Sequence, residues 1–182
     1  MLRPLACCCL LLTACSSGSS YEDDSADQGA IVAHAPSVDA PKIVSGPPVS
    51  AVSSNLELEV HALVNAHRTR QGLPALVFDD RIGDLCRDHS RDMSRSATLS
   101  HDRVEDREAR IAAFLPYTMV AENVGMNQSP VSRTAREVVE QWLASAPHRR
   151  NIEGPFDATG IGHARAADGS HYYTQMFARS SR

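Results

Sequence analysis

The sequence predicts an α+β domain in which helices cover a small antiparallel sheet. Runs with the apolar spacing of helices occupy most of residues 56–146. Two alternating runs come at the end, at about 159–165 and 171–178, and Asp168-Gly169 joins them as the centre of a hairpin turn. Helices followed by paired strands are typical of this fold class.

The first part of the domain is predicted to be two helices with a short extended piece between them. Apolar residues recur at helical spacing over about 56–70, and again from Asp79 or Asp80 to about 94. Either aspartate is a favourable N-terminal cap for the second helix. Residues 75–78 form the extended piece. Each helix is expected to bury one apolar face.

The middle of the domain is predicted to hold a short helix at about 107–114, an irregular connection over 119–126 and a long helix at about 133–146. Pro147 should end the long helix, because proline disrupts a continuing helix. His148 would then be free to turn away from the helix surface. The alternative is that His148 is simply a positive residue near a helix C-terminus, where it interacts favourably with the helix dipole.

The first 14 residues have the features of a signal peptide. Arg3 precedes an apolar run, which is too short to span a bilayer because a span takes about 20 residues. The letters LTAC, ending at Cys15, resemble the lipobox of bacterial lipoproteins. This resemblance implies lipid (palmitate included) on Cys15 and, with Ser16 next, an outer-membrane anchor facing the periplasm or the cell surface. The alternative is an ordinary secretory signal cut near Ala14.

Residues 15–54 are predicted to be a lipidated N-terminus and a disordered tether, because they are rich in Ser, Ala, Pro and Asp and show no periodicity. Residues 55–182 remain as one domain. The three cysteines of the signal peptide leave with it, and Cys15 would carry lipid. Cys86 then stands alone, which excludes an internal disulfide and a cysteine-based zinc site.

The charge pattern argues against nucleic acid as a partner. The formal net charge is −4, whereas a nucleic-acid-binding domain usually presents a basic face. Arginines do cluster at 103–110 and at 149–150, but acidic residues interrupt the first group. We interpret these clusters as solvated surface.

Four short segments stand out for their polar residues and their order: SHD with His101, AENVG with Glu122, WLASAPHRRNI with His148, and HYYTQMFA in the last strand. Together they resemble the CAP superfamily, or SCP domain, of cysteine-rich secretory proteins, antigen 5 and pathogenesis-related proteins. The resemblance covers about residues 56–179. It implies a three-layer α-β-α sandwich in which a small antiparallel sheet is flanked by helices.

The resemblance also implies a central cleft lined by two histidines and two acids. His101 and His148 match the histidines and Glu122 matches the first acid, but Ser145 stands where a second acid is expected. The trio of His101, Glu122 and His148 offers ligand types that suit zinc or another divalent cation. The same trio is equally consistent with a hydrogen-bonded network that fixes the loops.

Three functions remain open from the sequence. The first is a non-enzymatic binding or adaptor protein of the cell envelope, with an envelope lipid, cell-wall or protein ligand. The second is a metal- or serine-dependent hydrolase of peptides or cell-wall material, with Ser145 or Ser100 as nucleophile, His148 or His101 as base and Glu122 as orienting group. No G-x-S-x-G elbow is present to support it. The third is a structural spacer.

Overall fold

The computed structural model of the chain describes residues 29–32 and 55–181. The predicted signal peptide, Cys15 and most of the predicted tether lie outside the described residues, so those predictions stay predictions. Within 55–181 no helix is both long and apolar enough to cross a bilayer. The elements in chain order are β1 Gly29–Val32, α1 Asn55–Arg70, β2 Val77–Phe78, α2 Asp80–Ser96, α3 Val104–Ala112, β3 Tyr117–Asn127, α4 Thr134–Ala144, α5 Ala146–Ile152, β4 Ala158–Arg165 and β5 His171–Ser180.

The described strands form one five-stranded sheet in the order β1-β3-β5-β4-β2. The long strands β3, β5 and β4 pair antiparallel, and β1 is antiparallel to β3. The two-residue strand β2 pairs in parallel with β4, so the sheet is antiparallel except at this end. The predicted hairpin at Asp168-Gly169 is confirmed, because Gly169 has a φ of 92° and Ala166 N donates to Ser170 O at 2.8 Å.

Helices cover both faces of the sheet. On β5, Tyr173 and Phe177 pack into an apolar cluster with α1, α4 and α5, whereas Met176 and Ala178 pack into a second cluster with α2 and α3. This alternation follows from the two-residue period of a strand. All four side chains are fully buried, and burying one large apolar side chain stabilises the fold by about 1.5–3 kcal/mol. The predicted three-layer α-β-α sandwich is confirmed.

Helix α2 lies unusually close to β4. A Cβ added at Gly160 would lie 2.2 Å from Gly83 N, and one added at Gly162 would lie 2.1 Å from Arg87 N. Real Cβ atoms do not approach backbone so closely, so only glycine fits at these two positions of the strand. The absence of a Cβ at these two positions of β4 therefore sets how closely α2 docks.

Strand β3 corrects the prediction of an irregular connection over 119–126. The segment is the longest strand of the described residues and pairs with β5 along its length. Its burial is nearly continuous, and it includes the polar residues Glu122 and Asn123, which are both fully buried. Two adjacent polar residues interrupted the apolar signal that a buried strand normally gives.

The prediction of one long helix ended by Pro147 is also wrong. Ser145 takes an extended conformation (φ −85°, ψ 124°) and separates α4 from α5. Pro147 lies in the first turn of α5, where proline is tolerated because the first N–H groups have no partner within the helix. His148 is therefore a residue of α5 itself. Likewise, α3 begins at Val104, three residues before the predicted start.

One strand falls inside the predicted tether. Residues Gly29–Val32 form β1 on the outer edge of β3, with Ala30 opposite Glu122. The expectation that the whole of 15–54 lacks regular structure is thus wrong at these four residues.

Candidate ligand-binding cleft

Glu122 is the centre of the site. It lies in the middle of β3, opposite Met176 of β5, and its side chain points to the face covered by α2 and α3. His101 Nδ1 donates to Glu122 Oε1 at 2.7 Å. Arg107 donates from Nε to Oε2 at 2.7 Å and from Nη2 to Oε1 at 2.8 Å. Both carboxylate oxygens therefore have cationic or imidazole donors.

Arg107 is the residue that the sequence analysis missed. It is 6% exposed, not part of a solvated face, and its Nη1 also donates to Asp102 O at 2.8 Å. Its neighbours Arg103 and Asp106 form an exposed ion pair one turn away, so the mixed-charge pattern hid a single inward residue. The helical period is the signal that could have found it, since Val104, Arg107, Glu108 and Ile111 form the buried face of α3.

The environment keeps Glu122 ionised. Complete burial raises the pKa of a carboxyl group, because it disfavours the charged form. At Glu122 the hydrogen bonds from His101 and Arg107, together with the charge of Arg107, outweigh burial, and the pKa of Glu122 lies below its ordinary value. The carboxylate and the guanidinium thus form a compensated buried pair.

His101 connects the buried pair to the surface. It lies just before α3, where its carbonyl accepts a hydrogen bond from Val104 N at 3.1 Å. The His101 side chain is 20% exposed, whereas that of Glu122 is fully buried. Because Nδ1 carries the proton that Glu122 accepts, the lone pair of the neutral ring lies on Nε2. Glu122 therefore fixes both the orientation and the tautomer of His101.

His148 belongs to α5, on the Asn123 side of β3. The Asn123 amide donates to His148 O at 3.2 Å, and the Asn151 amide donates to Glu122 O at 3.2 Å and to Asn123 Oδ1 at 2.9 Å. These bonds fasten α5 to β3 at Glu122 and Asn123. The His148 side chain is buried. Ile152 of α5 packs in the first apolar cluster and Val104 of α3 in the second, so α5 and α3 lie on opposite faces of the sheet.

The two candidate serines have structural positions. Ser145 is half-buried between α4 and α5, and its carbonyl accepts from Arg149 N at 2.9 Å. Ser100 is bound within its own loop, where its hydroxyl oxygen accepts from Asp102 N at 3.3 Å and its carbonyl accepts from His89 Nε2 at 2.7 Å. These bonds fix the local backbone at both serines.

The predicted cation ligands do not form a fitting donor set as they are arranged. Within residues 55–181 there is no group of three His, Cys, Asp or Glu side chains placed to hold a metal ion. The Glu122 carboxylate is engaged by Arg107, whose positive charge opposes a divalent cation at the same oxygens. A cation held by His101, Glu122 and His148 stays a prediction, and it would require the guanidinium to move.

A groove of about 320 Å³ runs between α2 and α3 beside this cluster. Its apolar lining includes Leu85 and Met93. Acidic and basic side chains both line it, so it does not select a ligand of one charge. The charged lining residues are Asp88, Asp92, Asp102, Arg103, Asp106, Arg107 and Arg110.

The chain forms a three-layer α-β-α domain with a buried glutamate on β3 and a histidine bonded to that glutamate. These features define the class of protein to which the chain belongs. The sequence model of the cysteine-rich secretory protein family, CAP, matches residues 61–177. The chain is a member of the CAP family.

Bacterial relatives support this assignment. The chain is 30% identical over 132 residues to YkwD of Bacillus subtilis (strain 168), an uncharacterized protein, covering 70% of this chain and 48% of the relative. It is 27% identical over 149 residues to the uncharacterized membrane protein YlbC of the same organism, covering 75% and 38%. The chain thus spans about half or less of the length of these curated relatives.

Two solved structures share the fold. An extracellular SCP-domain protein from Bacillus anthracis str. Ames matches with a TM-score of 0.56 and 27% identity, over 69% of this chain and 40% of that one. An outer surface protein from Borrelia burgdorferi matches with a TM-score of 0.60 and 15% identity, over 71% of this chain and 97% of that one.

Proposed function

We propose that this protein is a lipid-anchored component of the bacterial cell envelope whose CAP domain binds a ligand and does not catalyse a reaction. The observation that carries the binding role is the engagement of both Glu122 oxygens by Arg107 and His101. These three hydrogen bonds occupy three of the roughly four lone-pair positions of the carboxylate. The adjacent guanidinium charge disfavours both proton uptake and cation binding at the same oxygens. The Glu122 oxygens instead position His101, which is the partly exposed member of the cluster.

The envelope location is supported by the LTAC sequence at Cys15 and by the descriptions of two similar structures as extracellular and outer-surface proteins. Replacing Cys15 by Ala should move the protein from the membrane fraction to the soluble fraction of the envelope. It should also abolish incorporation of labelled palmitate. An unchanged distribution would contradict the lipid anchor.

A hydrolase is the second candidate, because one specific observation favours it. Glu122 holds the proton on His101 Nδ1 and leaves Nε2 as the acceptor, which is the arrangement of a histidine that serves as a general base. Such an enzyme would also require a nucleophile or an activated water beside Nε2. Turnover distinguishes the two candidates directly.

The test compares binding with turnover on the same samples. The chain from Ser16 to Arg182 is incubated with purified cell-wall sacculi and, separately, with fluorescently labelled casein. A binding protein should cosediment with one of these materials, or be retained by it, without releasing soluble fragments, and His101→Ala should weaken retention. Release of fragments by the wild type and not by His101→Ala would establish the hydrolase.

His67→Ala is the matched control. His67 Nε2 and Glu153 Oε1 lie 2.8 Å apart, so this variant also removes a histidine from a glutamate. The pair joins α1 to the residue after α5 and is separate from the His101–Glu122 pair. Loss of retention in His101→Ala alone would assign the effect to the cleft.

A further inference from the structure

Strand β1 occupies the outer edge of β3 at the candidate site. Its four residues pair antiparallel with 120–123, so that Gly29 lies opposite Asn123 and Ala30 opposite Glu122. Helix α5, which carries His148, also contacts β1. A segment that precedes the domain, and that is separated from β3 by roughly ninety residues of chain, thus returns to the centre of the site.

The edge itself explains why a strand can attach there. Among the described strands, β3 pairs with β5 on one side, and its other side has no partner except β1. An unpaired strand edge presents a row of N–H and C=O groups that accepts another extended chain. Strand β1 covers only 120–123, and residues 124–127 of β3 extend beyond it. The Val124 carbonyl there accepts from Trp142 Nε1 at 2.8 Å, so the proposed pairing is confined to 120–123.

We propose that this edge of β3 is a binding site for an extended peptide, and that residues 29–32 occupy it in the resting protein. The inference rests on the proposed binding function and names its ligand class. Recognition is by backbone pairing, as in other sites where a peptide adds a strand to a sheet. A ligand peptide replaces β1 residue for residue.

The geometry indicates what such a peptide meets. Successive residues of a strand face opposite sides of the sheet, so one side of the bound peptide lies beside the His101–Glu122 pair and the other beside α5. The charge of Glu122 is compensated by Arg107, so the edge does not demand a cationic peptide. The resident segment, GAIV, is uncharged, which agrees with this. The site therefore fits an uncharged or weakly charged extended segment.

The resident segment has an advantage over a free peptide. Only residues 33–54, which are 22 residues, join Val32 to α1. A covalently joined segment at such a separation competes at an effective concentration on the order of millimolar. A peptide of the same sequence should therefore bind poorly to the wild type and well to a variant whose own segment cannot pair.

The experiment uses the chain from Ser16 to Arg182 and the variant Ala30→Pro/Ile31→Pro. Proline removes a ladder donor, and two neighbouring substitutions are made because only alternate residues of an antiparallel strand donate to the partner. Val38→Pro/Asp39→Pro, outside β1, is the matched control. Hydrogen exchange of residues 120–123 and binding of a fluorescent peptide spanning residues 27–35 are measured for all three proteins.

In the β1 variant we expect at least tenfold faster exchange at those amides of 120–123 whose N–H groups face β1, and no change at those that face β5. The peptide should bind the variant at least tenfold more tightly than the wild type. Bound peptide should restore the slow exchange, while a peptide with prolines at 30 and 31 should not compete. Unchanged exchange, or no peptide binding to the variant, overturns the proposal. A different result would overturn the proposed function alone: the β1 variant binds the peptide, but neither sacculi nor casein retain the wild type.

Discussion

Arg107 donates hydrogen bonds to both oxygens of the Glu122 carboxylate, at 2.7 Å from Nε and 2.8 Å from Nη2. The guanidinium and the carboxylate are both buried, so each is the counter-charge of the other. Removing one member leaves an uncompensated charge in the interior, which is more damaging than removing both. This relationship makes the centre of the site both rigid and intolerant of single changes.

Arg107→Met should destabilise the domain by about 3–5 kcal/mol, because Glu122 would remain buried and charged. The double variant Arg107→Met/Glu122→Leu should recover most of that loss. Urea unfolding followed by the fluorescence of Trp142, the single and buried tryptophan, measures the difference. Arg103→Met, which removes an exposed pair with Asp106, is the control and should have little effect. A single variant as stable as the control would contradict the pairing.

Acid should destabilise the wild type more steeply than Glu122→Gln. The pKa of Glu122 is lower in the folded protein than its unfolded value of about 4.3. Its contribution to stability is therefore present above about pH 4.3 and is lost as the pH falls through the folded pKa. Unfolding free energies measured from pH 5 to pH 2.5 should converge for the two proteins. Glu105→Gln, on the exposed face of α3, is the control and should keep the wild-type slope.

A second pH effect should arise at higher pH from the histidine pair of the β4–β5 hairpin. His163 Nε2 and His171 Nδ1 lie 2.8 Å apart. Burial, together with the charge of His171, lowers the pKa of His163 to about 4, against an unfolded value of about 6.5. The folded protein therefore loses stability as the pH falls from about 6.5 to 4, because the unfolded chain binds the proton first. His163→Gln should show a flatter melting temperature over this window, and an equal slope would contradict the assignment.

Gly162→Ala should destabilise the domain by about 3 kcal/mol, the upper end of typical overpacking costs. The new Cβ would lie 2.1 Å from Arg87 N in the backbone of α2, which cannot give way without moving the helix. Gly83→Ala is the contrasting variant, since its Cβ would lie 3.2 Å from Arg87 Nη2. Glu57 and Asp84 hold that guanidinium, but it has to shift by only a few tenths of an ångström. Alanine also favours a helix over glycine by about 1 kcal/mol, so this variant should stay within about 1 kcal/mol of the wild type. The stabilities of the two variants are compared by their midpoints of urea unfolding.

Zinc should not stabilise the protein through the predicted trio. A ligand present at a hundred times its dissociation constant adds about 2.7 kcal/mol of stability, which is easily detected as a thermal shift. Because Arg107 engages Glu122, we expect zinc to raise the melting temperature of the wild type no more than that of His101→Ala/His148→Ala. A zinc-dependent rise confined to the wild type would instead show that the guanidinium moves and that the trio is a metal site.

The sequence predicted the elements whose signal is local. The helical spacing of α1 and α2, the aspartate cap and the Asp-Gly turn all depend on nearby residues, and the structure has them within two residues of the expected bounds. Asp79, for example, accepts from Arg81 N at 2.9 Å as the N-terminal cap of α2. The resemblance to the family supplied the fold that these local signals alone left open.

The features that were missed depend on distant partners. Glu122 and Asn123 read as a polar loop because their compensating groups, Arg107 and Asn151, are supplied by other elements. From the sequence, Pro147 predicts the end of a helix. It is instead tolerated in the first turn of α5, and that depends on the extended conformation of Ser145, where the new helix begins. The pairing of β1 had no local signal beyond four uncharged residues. Such features become predictable only once the fold places the partners.

Strand β1 also limits how far the domain can travel from a surface. With lipid on Cys15, as proposed, 40 residue steps would separate the anchor from Asn55, a maximum reach of about 140 Å, whereas only 14 steps separate it from Gly29, or about 50 Å. While β1 is paired, the shorter length governs. A peptide that replaced β1 would free the whole tether up to Asn55. Peptide binding would therefore increase the largest distance that the domain can reach from the membrane.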